Sequence, residues 1–151
     1  MTPGAIDLKV VADRLDLVAE HLAELRALPA GSFTEFAADR RNARAAEALL
    51  RRAIEALFDV ARHLLAKSLG LGALEYREVA RLASRHGLIQ DQALASRAEE
   101  IAGFRNRLTH HYEDVTPREL FGVIRGDLDD LARTADELRR AASRLAAEDL
   151  R

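Results

Sequence analysis

The fold is decided at residues 51–70, which read RRAIEALFDVARHLLAKSLG. Apolar side chains recur there every three or four residues, as they do along one face of an α-helix; they are Ala53, Ile54, Leu57, Phe58, Ala61 and Leu64. Gly70 and Gly72 follow, and glycine commonly ends a helix. Upstream, Ser32-Phe33-Thr34-Glu35 has the form of a capping box. The pattern predicts one long amphipathic helix over residues 33–68, which must bury its apolar face against other helices.

Four further helices are predicted on either side of this one, over residues 5–28, 74–86, 91–110 and 117–147. The first carries an apolar stripe at Ile6, Val10, Leu15, Val18, Leu22 and Leu25. The last begins at a second capping box, Thr116-Pro117-Arg118-Glu119, with proline at the first helical position. No segment alternates with the period of two that a strand requires. We therefore expect an all-α fold, an up-and-down antiparallel bundle of four to five helices that forms one domain over residues 1–151, with a frayed tail at 146–151.

Composition excludes several classes of function. The chain has no cysteine, so thiol catalysis, disulfides and thiolate metal sites are ruled out. No histidine or carboxylate spacing resembles a metal site, and no phosphate-binding glycine loop occurs, so neither a metal nor a cofactor is expected. No signal peptide and no membrane-spanning stretch is visible, which favours a cytoplasmic protein without a membrane partner. The net charge of −2 does not favour a general nucleic-acid binder, so any RNA contact must use a local patch.

The predicted fourth helix holds the candidate chemistry. On a helical wheel Asn106 and His110 are four residues apart and share one line. That line lies opposite the apolar stripe formed by Leu94, Ile101, Phe104 and Leu108. Arg105 sits at the flank. Spacing alone favours the simpler interpretation of His110 as an exposed histidine near a helix C-terminus, where the dipole favours positive charge.

The segment Arg105-Asn106-x-x-x-His110-x-Tyr112 resembles the Arg-x4-His-x-Tyr motif of HepT proteins, a branch of the HEPN superfamily of ribonucleases. The lead-in at residues 101–104 and the stretch at residues 52–61 also resemble signatures of that family. The resemblance implies a homodimer with a composite site. It also implies that Tyr112 is the target of adenylylation by a partner antitoxin, a minimal nucleotidyltransferase of the MntA type.

These residue types suit metal-free cleavage of RNA. The chemistry needs a base for the ribose 2′-OH, an acid for the leaving 5′-oxygen and a cation for the phosphorane. His110 suits either proton transfer, Arg105 can hold phosphate oxygens, and Asn106 can orient the imidazole or bind a phosphate. One histidine for two proton transfers again points to a homodimer. We expect the substrate to be tRNA or mRNA.

Further arginines are candidates for binding RNA. Arg107 and Arg97 would add to a shared patch in the dimer. An extension of the patch by Arg40, Arg41 and Arg44 competes with a simpler interpretation, a solvated helix face interleaved with carboxylates. His111 is interpreted either as a group supporting His110 or as a surface residue. The alternative functions are a catalytically silent HEPN module that binds nucleotide or docks a nucleotidyltransferase, and a helical adaptor that only dimerises.

Overall fold

The apolar repeat at residues 51–70 forms the second half of the longest helix of the molecule. The computed structural model describes residues 4–72 and 75–150, and within these ranges the chain forms seven α-helices and no strand. The helices are α1 (Leu8–Arg26), α2 (Phe33–Ala37), α3 (Arg40–Leu69), α4 (Tyr76–Arg85), α5 (Gln92–His110), α6 (Pro117–Gly126) and α7 (Leu128–Asp149). A short 3-10 turn, Tyr112–Asp114, joins α5 to α6. The expected all-α fold is thus confirmed.

The prediction of a single helix over residues 33–68 is wrong, because the chain breaks between α2 and α3. The Asp39 carboxylate accepts a hydrogen bond from the backbone N–H of Arg41 and so begins a new helix. The buried side chain of Asn42 donates to the carbonyl of Phe36 at 3.0 Å and holds the corner. An N-cap residue near the start of the predicted helix therefore divides it into two.

The predicted helix over residues 117–147 is also divided, at Asp127, which separates α6 from α7. Gly126 and Asp127 are both poor helix formers, and the Asp127 carboxylate is drawn into an ion pair with Arg97 of α5. Together the two breaks explain why there are seven α-helices where the sequence predicted four to five. The third predicted helix begins at Tyr76, and Leu74, where it was expected to start, lies outside the described residues.

The apolar stripe of α1 differs from the prediction at one position. Val11, and not Val10, joins the buried residues Leu15, Val18, Leu22 and Leu25, whereas Val10 is exposed. The correct set keeps alternating steps of four and three residues, which is the spacing of a stripe that faces a neighbouring helix. Because Val10 and Val11 are adjacent, the sequence alone does not show which of them belongs to the buried stripe.

Helix α3 is the centre of the bundle and contacts each of the other six α-helices. Its buried side chains include Leu50, Ile54, Leu57, Phe58 and Leu64, and burial of each such side chain contributes about 1.5–3 kcal/mol. Helix α1 packs along α3 and α7, while α5 packs against α4 and α3. Because α5 buries Leu94, Ala98, Ala102 and Leu108, its other face, which carries His110, is turned away from the core.

The two ends of the described chain meet. The backbone N–H of Ile6 donates to the carboxylate of Asp149 at 3.4 Å, and α7 extends to Asp149. Residues 146–149 are helical, and fraying of the tail at 146–151 stays a prediction, with Arg151 outside the described residues. None of the described helices is both long enough and apolar enough to cross a membrane.

Candidate functional site

Arg105 contacts side chains of two other helices, α3 and α4, which the sequence did not connect with it. Its Nε and Nη2 donate to one carboxylate oxygen of Glu55, on α3, at 3.2 and 3.0 Å. Its guanidinium also lies over the ring of Tyr76, at the start of α4, 4.6 Å from the ring centroid. The side chain is only 18% exposed. Arg105 therefore points toward α3 and α4, with its orientation determined by an ion pair and an aromatic face.

Tyr76 is itself fixed by a carboxylate. Its hydroxyl donates to Asp59 at 2.7 Å. Burial, together with that hydrogen bond, raises the pKa of Tyr76 to about 12, so the phenol stays protonated at neutral pH and remains a donor. Glu55 and Asp59 lie one turn apart on α3. Glu55 and Tyr76 contact Arg105 directly, and Asp59 binds the hydroxyl of Tyr76. Sequence reasoning missed all three, and the only signal was a pair of carboxylates spaced i, i+4 within the most apolar part of the chain.

His110 lies on the exposed side of α5, whereas Asn106 lines a recess together with Ile101 and Phe104 and so does not lie opposite that part of the predicted apolar stripe. Asn106 is half-buried, and its Oδ1 accepts from Nη1 of Arg105 at 3.1 Å. His110 is the last residue of α5 and is exposed, and its side chain makes no hydrogen bond or ion pair with any other described residue. Arg105 and Asn106 are thus in direct contact, while His110 lies one turn further on and is open to solvent.

Both arginines proposed as RNA ligands are engaged within the subunit. Arg107 makes a bidentate ion pair with Glu119 of α6, in which its Nη1 and Nη2 donate to the two carboxylate oxygens at 2.7 and 2.8 Å. That hydrogen bond raises the pKa of Arg107 above its ordinary value. Arg97 pairs with both Asp127 and Asp130. The positive charge that these two side chains offer to an external anion is therefore largely compensated.

The early arginines of α3 resemble a solvated face. Arg41 forms an exposed bidentate pair with Asp39, and Arg44 lies 3.8 Å from Glu47. Arg40 is exposed. These contacts favour the simpler interpretation of the cluster, because exposed pairs of this kind hold the arginines near carboxylates of the same helix.

Tyr112 lies two residues beyond His110, in the 3-10 turn. It is 53% exposed. It borders a groove of about 380 Å³ whose other wall is the beginning of α3, including Arg40 and Arg44. The phenol is therefore accessible to a second macromolecule, in contrast to the half-buried Tyr76.

A larger recess of about 660 Å³, which we call the α5–α6 cavity, lies beside the same turns of α5. Its walls include Ile101, Phe104, Asn106, His111, Gly122 and Val123. His111, the residue that caps the C-terminus of α5, lines this recess, so it lies at the edge of the site. Within the described ranges, no three histidine or carboxylate side chains are grouped closely enough to hold a metal ion.

Comparison with known proteins places this geometry in context. The family model described as "Ribonuclease HepT-like" matches residues 18–138. The chain is 26% identical to the tRNA nuclease HepT of Aphanizomenon flos-aquae (strain 2012/KM1/D3) over 120 residues, which cover 79% of this chain and 80% of that protein.

Solved structures share the fold. A tri-AMPylated HEPN toxin of Shewanella oneidensis in complex with an MNT antitoxin superposes with a TM-score of 0.76 at 19% identity, covering 87% of this chain and 97% of the toxin. A toxin–antitoxin crystallised with AMP-PNP gives a TM-score of 0.75 at 19% identity, covering 85% of this chain and 97% of the matched chain. These matches extend over nearly the whole described bundle.

Proposed function

Because this chain belongs to the HepT-like ribonuclease family, we propose that it is the toxin of a bacterial toxin–antitoxin pair and that it cleaves RNA without a metal ion. The observation that carries this proposal is the arrangement at the end of α5, where Arg105 contacts Asn106 and His110 is exposed one turn further on. A relative named tRNA nuclease and a shared fold with toxin chains support it.

The side chains match the steps of RNA transesterification. An imidazole removes the proton of the ribose 2′-OH, and the 2′-oxygen attacks the phosphorus. The 5′-oxygen leaves and takes up a proton from a second imidazole, so that the products end in a 2′,3′-cyclic phosphate and a 5′-hydroxyl. His110 supplies an imidazole, the side chain most often used for proton transfer in catalysis. Arg105 supplies the fixed positive charge that the phosphorane needs, and Asn106 positions the guanidinium through its hydrogen bond.

A complete site needs two subunits. Each chain brings one His110 to a reaction with two proton transfers, and a two-fold axis beside the ends of α5 would bring two motifs to one cleft. The exposure of His110 and Tyr112 leaves this end of the helix available for such a contact. The dimer would also bring both copies of Arg105 to one cleft, whereas Arg107 and Arg97 stay paired with carboxylates of their own subunit, so the attraction for RNA would be local to the site.

We infer that the substrate is a single-stranded part of tRNA. The named relative is a tRNA nuclease, and sequence-specific RNA recognition generally uses loops whose bases can be unstacked. A messenger RNA is the second substrate to assay.

Tyr112 is the proposed control point. Its exposed phenol can receive an adenylyl group from a nucleotidyltransferase antitoxin, in keeping with an AMPylated HEPN toxin that shares this fold. A nucleotide on Tyr112 would add bulk and negative charge two residues from His110, which opposes the approach of an RNA phosphate.

The test is cleavage of tRNA in excess EDTA. Wild-type protein should leave cyclic-phosphate ends, and His110→Ala and Arg105→Ala should each lower the rate by about 10²–10⁴-fold, because each removes a transition-state contact. His86→Ala is the matched control, since His86 is also an exposed histidine at a helix end but lies outside the motif. Equal cleavage by wild type and His110→Ala would assign the activity to another site or a contaminant.

One observation supports the alternative that the chain is a catalytically silent HEPN module. Arg105, Arg107 and Arg97 all face carboxylates of their own subunit. Absence of cleavage by every form, together with tight binding of a nucleotide, would replace the ribonuclease with this alternative.

A further inference from the structure

The α5–α6 cavity has the size and character of a small-ligand site. Its volume of about 660 Å³ lies within the roughly 300–1,000 Å³ typical of such sites. Ile101 and Phe104 of α5 and Val123 of α6 provide apolar walls, and Asn106 of the candidate motif borders the same space. The cavity therefore adjoins the proposed catalytic site through Asn106, while Arg105 and His110 lie outside its lining.

Three arginines line the cavity, and among the residues that the structure describes one of the three has no side-chain partner. Arg97 and Arg107 are held by carboxylates. Arg77 of α4 makes no ion pair or hydrogen bond to any other side chain that the structure describes, and sequence reasoning did not single it out. Its guanidinium lies against α5 at Gly103, where a Cβ would meet Nη2 of Arg77 at 2.9 Å. A charged donor fork without a partner is thus held over the backbone of α5, inside a recess.

Arg77 and the catalytic residues share one side of α5. Gly103, Asn106 and His110 are spaced by three and four residues, so they follow one line along the helix. The seven residue-to-residue steps from Gly103 to His110 span about 10 Å along the axis. A strand of RNA that lies along this line can therefore contact Arg77 at one end and His110 at the other.

We propose that the α5–α6 cavity binds one unstacked nucleotide of a single-stranded RNA, adjacent to the scissile phosphodiester. The base enters between the apolar walls, where Phe104 offers an aromatic surface for stacking. Asn106 and the carboxylate of Glu100, which also line the cavity, face the polar edge of the base. The flanking phosphate contacts Arg77. This assignment rests on the proposed ribonuclease function, because it concerns the RNA that the same site cleaves.

The cavity can be filled without disturbing the core. Gly122 lines the cavity from α6, and a Cβ added there meets no atom within 4 Å. Gly126, one turn later on α6, is equally open but does not line the cavity. Neither glycine has positive φ, so leucine fits the helical backbone at both positions and has the higher helix propensity. Gly126→Leu is thus a matched control for Gly122→Leu.

Gly122→Leu should lower kcat/KM for tRNA about tenfold or more, the order of effect expected when one stacked base is lost, and should change the cleavage positions. Gly126→Leu should match wild type in both. Each protein is also assayed for binding of a labelled single-stranded RNA oligonucleotide in a His110→Ala background, where nothing is cut. Weaker binding by the Gly122→Leu form alone is expected there too.

Arg77 has its own control on the same helix. Arg77→Gln should weaken binding of the oligonucleotide and reduce the slope of log K against log salt by about 0.7, the loss of one phosphate contact to a single strand. Arg81→Gln should leave both unchanged, because Arg81 already pairs with Glu78 and does not line the cavity.

Several results would overturn the nucleotide site. One is equal kcat/KM, cleavage positions and oligonucleotide binding for Gly122→Leu and Gly126→Leu. Another is normal handling of RNA by Gly122→Leu combined with loss of the dimer or of neutralisation by an antitoxin, which would assign the cavity to a protein partner. Absence of cleavage by wild type would refute the proposed ribonuclease function. The oligonucleotide-binding measurements would still show whether the cavity binds a nucleotide.

Discussion

At the scale of single residues, the contacts that Arg105 already makes determine how it could bind a phosphate. Glu55 accepts from Nε and Nη2, and Asn106 accepts from Nη1. A phosphate that approaches Arg105 must therefore share these donors or displace an acceptor. The guanidinium also lies over the ring of Tyr76, a contact that favours this orientation. Under the proposed mechanism Arg105 would be oriented in advance of the substrate, which would lower the cost of ordering it in the transition state.

Tyr112 provides the residue-scale prediction. Tyr112→Phe removes the hydroxyl that would accept the adenylyl group but keeps the ring, so the variant should escape modification when it is co-expressed with a nucleotidyltransferase antitoxin, while it still cleaves tRNA. Intact-mass measurement of the purified toxin reports the modification. Tyr76→Phe is the control, because its hydroxyl is engaged by Asp59 and only half-accessible. Full neutralisation of wild type with no added mass on Tyr112 would contradict the modification model.

How far the sequence predicts the site depends on the range of the contacts. Arg105, Asn106 and His110 lie within six residues of one another on one helix, so periodicity alone brings them together. Glu55 is fifty positions away from Arg105, and its role appears only once α3 and α5 are packed. The pairing of Arg107 with Glu119 likewise depends on where the chain turns after Tyr112, which local pattern does not encode.

At the scale of helices, capping residues determine helix boundaries that the apolar periodicity does not reveal. The apolar repeat continues through Asp39 and through Asp127, so periodicity predicts two long helices. Asp39 instead caps a new helix, and Asp127 leaves the helical pattern to pair with Arg97. The fourth predicted helix agrees with α5 to within one residue, because Asp91 caps its beginning and the chain offers no competing cap before His110.

The beginning of α1 yields an element-scale prediction that depends on pH. Nε2 of His63 on α3 accepts a hydrogen bond from the backbone N–H of Asp7, the N-cap of α1, at 3.0 Å. Burial, and then the charge of nearby Lys67, lowers the pKa of His63 below its ordinary 6.5. As pH falls through 6.5 the unfolded chain takes up this proton before the folded protein does, so the stability contributed by neutral His63 is complete above 6.5 and is lost toward the lowered pKa.

The free energy of unfolding in urea, measured at about pH 7.5 and about pH 5, checks this prediction. Wild type should lose more stability on acidification than His63→Gln, whose amide oxygen can still accept from Asp7 but does not titrate. An equal loss in the two proteins would show that His63 does not link α1 to α3 in a pH-dependent way.

At the scale of the whole molecule, charge and symmetry have to be considered together. A single subunit carries a net charge of −2 and holds its arginines near carboxylates, so it attracts RNA weakly. Two subunits that meet at the ends of α5 would place two copies of Arg105 and His110 around one phosphodiester. The proposed pairing would also supply the second imidazole that the reaction needs, so a dimer would provide both the local positive charge and the second proton-transfer group that a single subunit lacks.

Mixed dimers test this central claim most directly. Wild-type and His110→Ala subunits are mixed in equal amounts and exchanged to equilibrium, which mass spectrometry verifies, and tRNA cleavage is then measured in EDTA. If each site needs both imidazoles, only dimers with two wild-type subunits cut, and the activity per wild-type subunit should fall to about half of that of unmixed enzyme. Activity per wild-type subunit that stays unchanged after complete exchange would contradict a site shared between subunits.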